Sequence, residues 1–502
     1  MRTRLGCWVW PGSGRPRATI EPRGAADRPR PGSDPGQGRL VSTREATGPG
    51  RRAGRPGGVR VLEGAPEVGR RGFLQAAAVQ GASLPVACVL LGRDARAAAV
   101  ADAGPAAAAA RRKGALRLPP GEAPAATIVR DFADPYLELL RLLREAAEIE
   151  HSLLVQYLYG AFSLKPAYEA VAGRGDPNAH DLLGVAIQEM QHLRAVNRLL
   201  VALGAAPHLD RQDFPYEPDI YPFALNLEPL GRASLAKYVY TEAPGDALHF
   251  RAARTEDDFI FLQDLHEELG DGVRPNHVGS LYGTVIEVLA ELGRSPAGPP
   301  LPDLERWTGE LERIKGEGEV DHFRFFRDLF TGRHEGFGGV PQVWRLDADD
   351  PAYPAYRLPV NPTAYVGHPR QIEDPAALTL AWLGNLHYWA ALAMLDYGYR
   401  DDRDAGAAAA QACMLGPLWS LGRHLPRLGA GMPFDPLGVG YAPGRTGRDS
   451  LRFVVRLLRE ADRLARSVEA DLPPDYPLEA DAELVAELEG EIATTTYASS
   501  TN

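Results

Sequence analysis

Two Glu-x-x-His motifs, one formed by Glu189 and His192 and the other by Glu319 and His322, are the residues of this chain best suited to chemistry. Each lies in a stretch with apolar residues at helical spacing, so each motif places a carboxylate and an imidazole on one face of a predicted helix. Two such helices, joined by one Glu from each of two further helices, supply the ligands of a dimetal carboxylate site. Carboxylate oxygens combined with two imidazoles suit iron or manganese, and chemistry with O₂ or peroxide.

The motif by itself is a weak signal, because a Glu-rich chain with 12 His is expected to contain about one by chance. A third match, formed by Glu148 and His151, overlaps Glu150. Glu150 lies in a predicted helix over residues 137–162, and Glu189 follows 39 residues later in the next predicted helix. This separation places both carboxylates near the middle of an antiparallel pair, where burial is costly unless a cation or a partner compensates. The spacing alone leaves two interpretations open, a metal site or a solvated and salt-bridged helix face.

Charge is distributed unevenly along the 502 residues, whose formal net charge is −11. Residues 1–125 carry 21 Lys and Arg against 9 Asp and Glu, whereas the remainder carries 34 against 57. The acidic body argues against nucleic acid as the main partner. The basic head is rich in Gly, Pro, Ala and Arg, and such a composition does not form a packed core. The three cysteines, Cys7, Cys88 and Cys413, have no zinc-site spacing.

An arginine pair, Arg70 and Arg71, precedes an apolar run over residues 76–92 and small residues at 95–99. This layout predicts a signal for export by the twin-arginine route, to a periplasmic or extracellular location. The apolar run has 17 residues and contains polar residues and a proline, so it is too short and too polar for a membrane span. We expect membrane contact only through this segment. The alternative is a chance arginine pair in an Arg-rich tail.

The remaining sequence predicts a mainly α protein, because no strand alternation and no internal repeat is present. Residues 205–230 are Pro-rich and predict a long crossover, and residues 336–370 are irregular by composition. The predicted helices cover residues 137–162, 181–203 (with a start signal at 176–178), 232–242, 275–293, 303–330 with an interruption near Gly316, 374–398, 403–428, 447–470 and 478–492.

Four segments follow from these boundaries. They are a disordered basic leader and linker (1–125), a metal-binding bundle (126–345), a C-terminal helical part (346–475), and an acidic helix with a frayed tail (476–502).

Several blocks of this sequence resemble the ferritin-like domain of the iminophenyl-pyruvate dimer synthase family. The resemblance covers about residues 126–470, and its blocks are residues 148–159, 188–193, 240–244, 278–282, 316–326 and 414–434. These bacterial proteins are related to part of the enzymes that couple two amino-acid-derived imines on the way to bisindole pigments. The resemblance implies a ferritin-like helical bundle with a long crossover and additional C-terminal helices.

The resemblance also implies a ligand set for two iron ions, with manganese as a possible replacement. By the family pattern, the ligands are Glu150, Glu189, His192, Glu242, Glu319 and His322. One departure is Ser280, where the family usually carries Glu, so this site has one carboxylate fewer if that Glu is a ligand in relatives. Glu287, two turns further on, could substitute only if it lies on the same helix face.

These expectations together predict an exported, non-haem dimetal protein that oxidises a small organic substrate with O₂ or peroxide. An alternative is a non-catalytic metal-binding or interaction protein that keeps the bundle without turnover, which Ser280 favours. A third interpretation treats the carboxylates as structural ion pairs.

Other candidate residues have ordinary structural explanations. We expect His151 to lie behind the site or at the surface, because its side chain points about 100° away from that of Glu150. Tyr157 and Tyr159 at helical spacing predict core packing, as does the aromatic run at residues 382–389. The Asp- and Glu-rich residues 256–271 predict a solvated loop, with three histidines in or beside it: His249, His266 and His277.

Overall fold

The computed structural model describes residues 128–499, except 175–177, 212–221, 271–277, 296–302, 341, 402–403 and 437–445. The predicted export signal and His277 therefore lie outside the described residues. Helices dominate, and the described residues form two isolated β-bridges but no strand. The α-helices are α1 (Pro135–Ser163), α2 (Glu169–Ala172), α3 (Leu182–Ala202), α4 (Arg232–Glu242), α5 (Glu256–Leu269), α6 (Val278–Arg294), α7 (Leu304–Gly316), α8 (Phe323–Phe330), α9 (Pro375–Asp401), α10 (Asp404–Cys413), α11 (Trp419–His424), α12 (Gly447–Ser467) and α13 (Ala480–Ser499). The predicted mainly α class is confirmed.

The first two long helices begin at side chains that cap them. Asp134 accepts hydrogen bonds from two backbone N–H groups at the start of α1, and Pro135 occupies the first helical position, where its missing N–H is not needed. The start of α3 differs from the signal at 176–178. Asp181 caps this helix instead, because its carboxylate accepts a hydrogen bond of 2.6 Å from the backbone N–H of Gly184.

Helices α1 and α3 are antiparallel, as the spacing of their carboxylates predicts. The hydroxyl of Tyr136, near the start of α1, donates a hydrogen bond of 2.9 Å to the carbonyl of Leu203, just past the end of α3. Glu150 and Glu189 consequently meet near the middle of the pair, where both are buried. Antiparallel packing therefore turns a separation along the chain into a contact in space.

Four further helices and a π-helical segment complete the bundle around this pair. Helix α6 packs against α1 and α7, and α4 packs against α8. Between α7 and α8 the chain continues without a break through a π-helical segment, Glu317–His322. The interruption predicted near Gly316 is this segment, and it lies beside the predicted ligands.

One helix was predicted incorrectly. Residues 256–271 were expected to be a loop, but Glu256–Leu269 is the helix α5. Its acidic residues belong to a capping arrangement in which Thr255 and Asp258 each bond the other's backbone N–H, and its apolar residues Phe261 and Leu265 are buried. The tail expected to fray from Thr494 is helical to Ser499.

The C-terminal helices share α1 with the bundle. Helix α9 packs against α10 and α12, and α12 packs against α13. Val155, Tyr159 and Phe162 of α1 join the core of these helices, while Leu153 and Tyr157 join the core of the bundle. The boundaries at residues 345 and 475 stay predictions. None of the helices in the described residues is long and apolar enough to span a membrane.

Candidate metal centre

Five of the six predicted ligands meet in the interior of the bundle. Glu150 comes from α1, Glu189 and His192 from α3, Glu242 from the end of α4, and His322 from the π-helical segment. None of these side chains is more than 4% exposed. Ionisable groups this deeply buried require a compensating charge, so their convergence is the main feature of the site.

The first of two ligand groups contains Glu150, Glu189 and His192, with one potential ligand atom from each residue within 4.8 Å of the others. Nδ1 of His192 lies 2.8 Å from Oε2 of Glu189 and 3.6 Å from Oε2 of Glu150. Two carboxylates therefore converge on one ring nitrogen, Nδ1 of His192.

The second ligand group contains Glu189, Glu242 and His322, under the same 4.8 Å limit. Nδ1 of His322 lies 3.0 Å from Oε1 of Glu189 and 3.7 Å from Oε2 of Glu242. Glu189 belongs to both groups and turns one oxygen toward each imidazole. If two metal ions were bound, Glu189 would contribute to holding both of them.

Both imidazoles have the same orientation. Each turns Nδ1 toward the carboxylates and bonds an outer oxygen through Nε2. Nε2 of His192 lies 2.8 Å from Oε2 of Glu317, and Nε2 of His322 lies 3.2 Å from Oε1 of Gln188. Because these oxygens accept hydrogen bonds, each Nε2 carries a proton, and Nδ1 is the atom that each ring can offer to a metal.

Three buried polar atoms in the centre of the cluster make no hydrogen bond of good geometry, although two of them, Nδ1 of His322 and Oε1 of Glu189, form an ion pair at 3.0 Å. They are Oε2 of Glu150, Oε1 of Glu189 and Nδ1 of His322. Buried polar atoms are almost always paired, and these three all belong to residues of the two ligand groups. Together with the carboxylate and imidazole composition, they fit a pair of metal ions of the iron or manganese type.

Electrostatic coupling in the cluster centres on Glu189. Burial and the nearby Glu189 carboxylate raise the pKa of Glu150 to about 8. Burial also disfavours the charged form of Glu189, but the imidazoles of His322 and His192 outweigh burial and lower its pKa. Burial opposes charge on both histidines as well, yet Glu189 raises the pKa of His322 to about 10 and that of His192 well above its ordinary value. Protonated imidazoles thus supply the positive charge that a metal pair would otherwise supply.

The structure does not bring the sixth predicted residue, Glu319, into either group. Glu319 is half-buried and lines a pocket beside the cluster, whereas Glu317 contacts His192. The cause is the π-helical segment, whose wider turn removes the α-helical rule that residues three apart share a face. Arg313 holds Glu317 through two hydrogen bonds of 2.8 and 2.9 Å. A metal role for Glu319 stays a prediction.

Two buried tyrosines orient the outer oxygens of the carboxylates. Tyr157 donates a hydrogen bond of 2.5 Å to Oε1 of Glu242, and Tyr282 donates one to Oε1 of Glu150. In each case the second oxygen faces an imidazole. Tyr157 was expected to be a core residue, and it is one, but its hydroxyl also belongs to the site. Sequence reasoning gave no signal for Tyr282 beyond its helical position.

A glycine makes room for Glu242. A Cβ atom added to Gly318 would lie 2.9 Å from Oε2 of Glu242, closer than real Cβ contacts allow. Gly316, two residues earlier, has nothing within 4 Å of the same position. The close approach of backbone to carboxylate therefore depends on glycine at residue 318.

The position of Ser280 adds no carboxylate to the cluster, and Glu287 cannot replace one because its side chain is exposed. A small pocket, partly open to solvent, lies beside the cluster. Apart from the ligands it is lined by Leu153, Gly279, Ile314, Lys315, Gly318 and Glu319. This pocket borders Glu150, Glu189, His192 and Glu242.

His151 and His387 lie outside the cluster. His151 is buried, with Nδ1 3.0 Å from the carbonyl of Leu209 and Nε2 2.6 Å from the hydroxyl of Tyr388. It therefore joins α1 to the crossover and to α9, and it does not reach the surface. His387 is buried among the C-terminal helices, as expected for a core residue.

Comparison with known proteins agrees with this architecture. Residues 143–304 match the family model described as Ferritin-like, so the fold and site define a protein with a ferritin-like helical domain. Glu150, Glu189, His192 and Glu242 lie within the match, and the π-helical segment follows it.

Two curated relatives give a more particular likeness. The chain is 27% identical over 335 residues to dichlorochromopyrrolate synthase of Lentzea aerocolonigenes, a match that covers 53% of this chain and 31% of that enzyme. It is 30% identical over 186 residues to 2-imino-3-(indol-3-yl)propanoate dimerase of Chromobacterium violaceum, covering 30% of this chain and 17% of that enzyme. The predicted resemblance is confirmed. The matches span less than a third of the length of either relative, and no solved structure matches the chain significantly.

Proposed function

We propose that this protein is a non-haem dimetal oxidoreductase that uses O₂ or peroxide to oxidise a small organic substrate. The observation that carries the proposal is the pair of buried ligand groups that share Glu189. The names of the two relatives, dichlorochromopyrrolate synthase and 2-imino-3-(indol-3-yl)propanoate dimerase, support a small organic substrate.

The donor set supports a metal pair over simple ion pairing. The two groups bring three carboxylates, from Glu150, Glu189 and Glu242, and two imidazoles together in the interior, and three of their polar atoms lack a well-formed hydrogen bond. A purely structural ion-pair cluster gains stability only when its hydrogen bonds are complete. Two divalent cations in place of the imidazole protons would satisfy the three central atoms together.

The proposed metals are two iron ions, with manganese as the alternative, since oxygen and imidazole ligands suit both. When bound, they supply the redox capacity that O₂ or peroxide chemistry needs. The protein's own residues fix the ligands. Tyr157 and Tyr282 each hold one carboxylate oxygen, and Glu317 and Gln188 each hold the Nε2 proton of one imidazole. Such outer contacts set ring orientation and raise ligand basicity.

The second candidate is a protein that binds metal without turnover. It is favoured by Ser280, which supplies no carboxylate where relatives of this type usually carry one. The two candidates differ in a measurable quantity. Both bind metal, but only an oxidoreductase consumes O₂ when Fe(II) is present.

The test is an anaerobic titration of the full chain with Fe(II), followed by admission of O₂ in an oxygen electrode. We expect two iron ions per chain and O₂ consumption that Glu189→Gln abolishes. Glu287→Gln is the matched control, because Glu287 is exposed and should leave both readouts unchanged. Iron binding without O₂ consumption would favour the second candidate, and absence of iron binding would leave the ion-pair interpretation.

We also propose export by the twin-arginine route, which rests on the sequence around Arg70 and Arg71 alone. Ligands from separate helices assemble only in the folded protein, so metal loading before export is consistent with a route for folded proteins. Replacing both arginines with lysine should trap the precursor in the cytoplasm. A native protein whose N-terminus lies well before Arg70 would contradict cleavage.

A further inference from the structure

A second pocket lies at the end of α1, away from the metal centre. It is a shallow groove that is partly open to solvent. Phe162, which lines it, follows Glu150 by twelve residues in α1, which corresponds to roughly 18 Å along the helix axis. The residues that matter for its chemistry are Phe162, Lys165, Tyr356, Trp419, Arg423 and Arg427. Neither the fold nor the proposed oxidation accounts for this combination.

Aromatic rings form the walls of the pocket. The rings of Phe162 and Trp419 have centroids 5.5 Å apart and are tilted by 60°. Phe162 can occupy this place because residue 422 is glycine; a Cβ there would lie 2.4 Å from the Phe162 ring. Tyr356 and Trp419 are both half-buried, so each presents part of its ring to the pocket. These faces suit a flat apolar group.

Positive charge surrounds the rings. The guanidinium of Arg423 lies 5.3 Å from the Trp419 ring centroid, and Arg427 follows one turn later. Neither arginine has an acidic partner among the residues that the structure describes. Lys165 donates hydrogen bonds to two backbone carbonyls, at 3.0 and 3.4 Å. The lining therefore has three cations and one carboxylate, Glu169, which lies 3.8 Å from Arg174.

The net charge of this lining is opposite in sign to that of the region as a whole. Residues 126–502 carry 34 Lys and Arg against 57 Asp and Glu, and most arginines in the described residues pair with an acid. Two neighbouring arginines without acids, beside three aromatic rings, have the composition of a site for a flat anion. Guanidinium groups bind carboxylates with defined geometry, and aromatic faces stack on rings.

We propose that this pocket is a second binding site, independent of the metal centre, for a small planar aromatic carboxylate. The ring of the ligand lies against the accessible parts of Tyr356 and Trp419. Its carboxylate is held by Arg423 and Arg427. The proposal goes beyond the proposed oxidation and does not depend on it.

The experiment is isothermal titration calorimetry of the full chain with 2-naphthoate as the probe, and with 2-naphthamide and acetate as its neutral and non-aromatic counterparts. We expect binding of 2-naphthoate, and binding weaker by at least about tenfold for each counterpart, since one lost charge-assisted contact corresponds to about a factor of ten. Equal binding of 2-naphthamide would overturn the role of the arginines, and equal binding of acetate would overturn that of the rings.

Variants locate the site. Arg423→Gln should weaken 2-naphthoate binding at least about tenfold. Arg251→Gln, the control, removes a 70% exposed arginine elsewhere and should not change binding. Glu189→Gln should bind the probe as the wild type does. Loss of binding in Glu189→Gln would place the ligand at the metal centre, and full binding by Arg423→Gln would overturn the proposal. If Arg423→Gln fails to fold, the two ligand counterparts still decide the question.

Discussion

Two buried groups of histidine, tyrosine and carboxylate in this protein have opposite electrostatics. In the bundle, the carboxylates of Glu189 and its neighbours raise the pKa of His192 and His322. Among the C-terminal helices, His387 has Nε2 2.9 Å from the hydroxyl of Tyr476 and Nδ1 3.5 Å from Asp481. Burial lowers the pKa of His387 to about 3 and raises that of Asp481 to about 7, so the second group favours neutral forms.

The difference comes from how many carboxylates converge, because all these histidines are fully buried. One carboxylate at 3.5 Å does not compensate for the loss of hydration of His387. Two carboxylates around each imidazole, one of them shared, do so in the bundle. In this protein the group in which several carboxylates converge on the imidazoles is therefore the candidate metal centre, and the group around His387 is not.

The largest expected effect is on metal binding. Glu189→Gln should abolish binding of both ions, because Glu189 belongs to both ligand groups. His387→Gln should retain full metal content, although it removes an equally buried histidine. Metal analysis of both variants measures the contrast. A Glu189→Gln protein with full iron content would remove Glu189 from the ligand set.

The next effect separates the two ions. Gly318→Ala should displace the Glu242 carboxylate and cause loss of one ion, leaving the group of Glu150, Glu189 and His192 intact. Gly316→Ala is the matched control, since a Cβ there meets nothing within 4 Å. Iron stoichiometry by titration distinguishes them. Two ions bound in Gly318→Ala would show that this close approach is not required.

A smaller effect concerns the outer acceptor of His192. Glu317→Gln should weaken metal affinity by about 10- to 100-fold, the usual range for loss of a residue that orients a ligand. Glu319→Gln tests the original ligand assignment at the same time. The geometry predicts a smaller loss there, and competition with a chelator gives both affinities. A larger loss of metal affinity in Glu319→Gln than in Glu317→Gln would return Glu319 to the ligand set.

The smallest effect is on the pH dependence of apoprotein stability. The folded pKa of His322 is about 10 against an ordinary 6.5, so its stabilising contribution is complete below pH 6.5 and is lost as pH rises to about 10. The folded pKa of His387 is about 3, so its contribution is lost as pH falls from 6.5 to 3. The free energy of unfolding in urea, measured as a function of pH, should fall less steeply at alkaline pH in His322→Asn than in the wild type. It should fall less steeply at acid pH in His387→Asn. Identical limbs in both variants would contradict the contrast.

Much of the site could be predicted because its residues lie on regular helices. Apolar periodicity predicted α1, α3 and α4, and the 39-residue separation of Glu150 and Glu189 predicted that they meet. Helical spacing also placed Glu189 and His192 on one face. The loop prediction for residues 256–271 was wrong because the acidic residues indicated a solvent-exposed loop, whereas Thr255 and Asp258 cap a helix there.

Other features were decided only by the tertiary structure. Local sequence determined which residues could be ligands, since residue type and α-helical spacing are local properties. It did not determine that Glu317 rather than Glu319 contacts His192, because the π-helical turn changes which side chains share a face. It also did not indicate that Tyr282 and Tyr157 fix the carboxylates or that Gly318 admits Glu242. Those contacts join helices far apart in the chain, and only packing of the bundle brings their atoms within bonding distance.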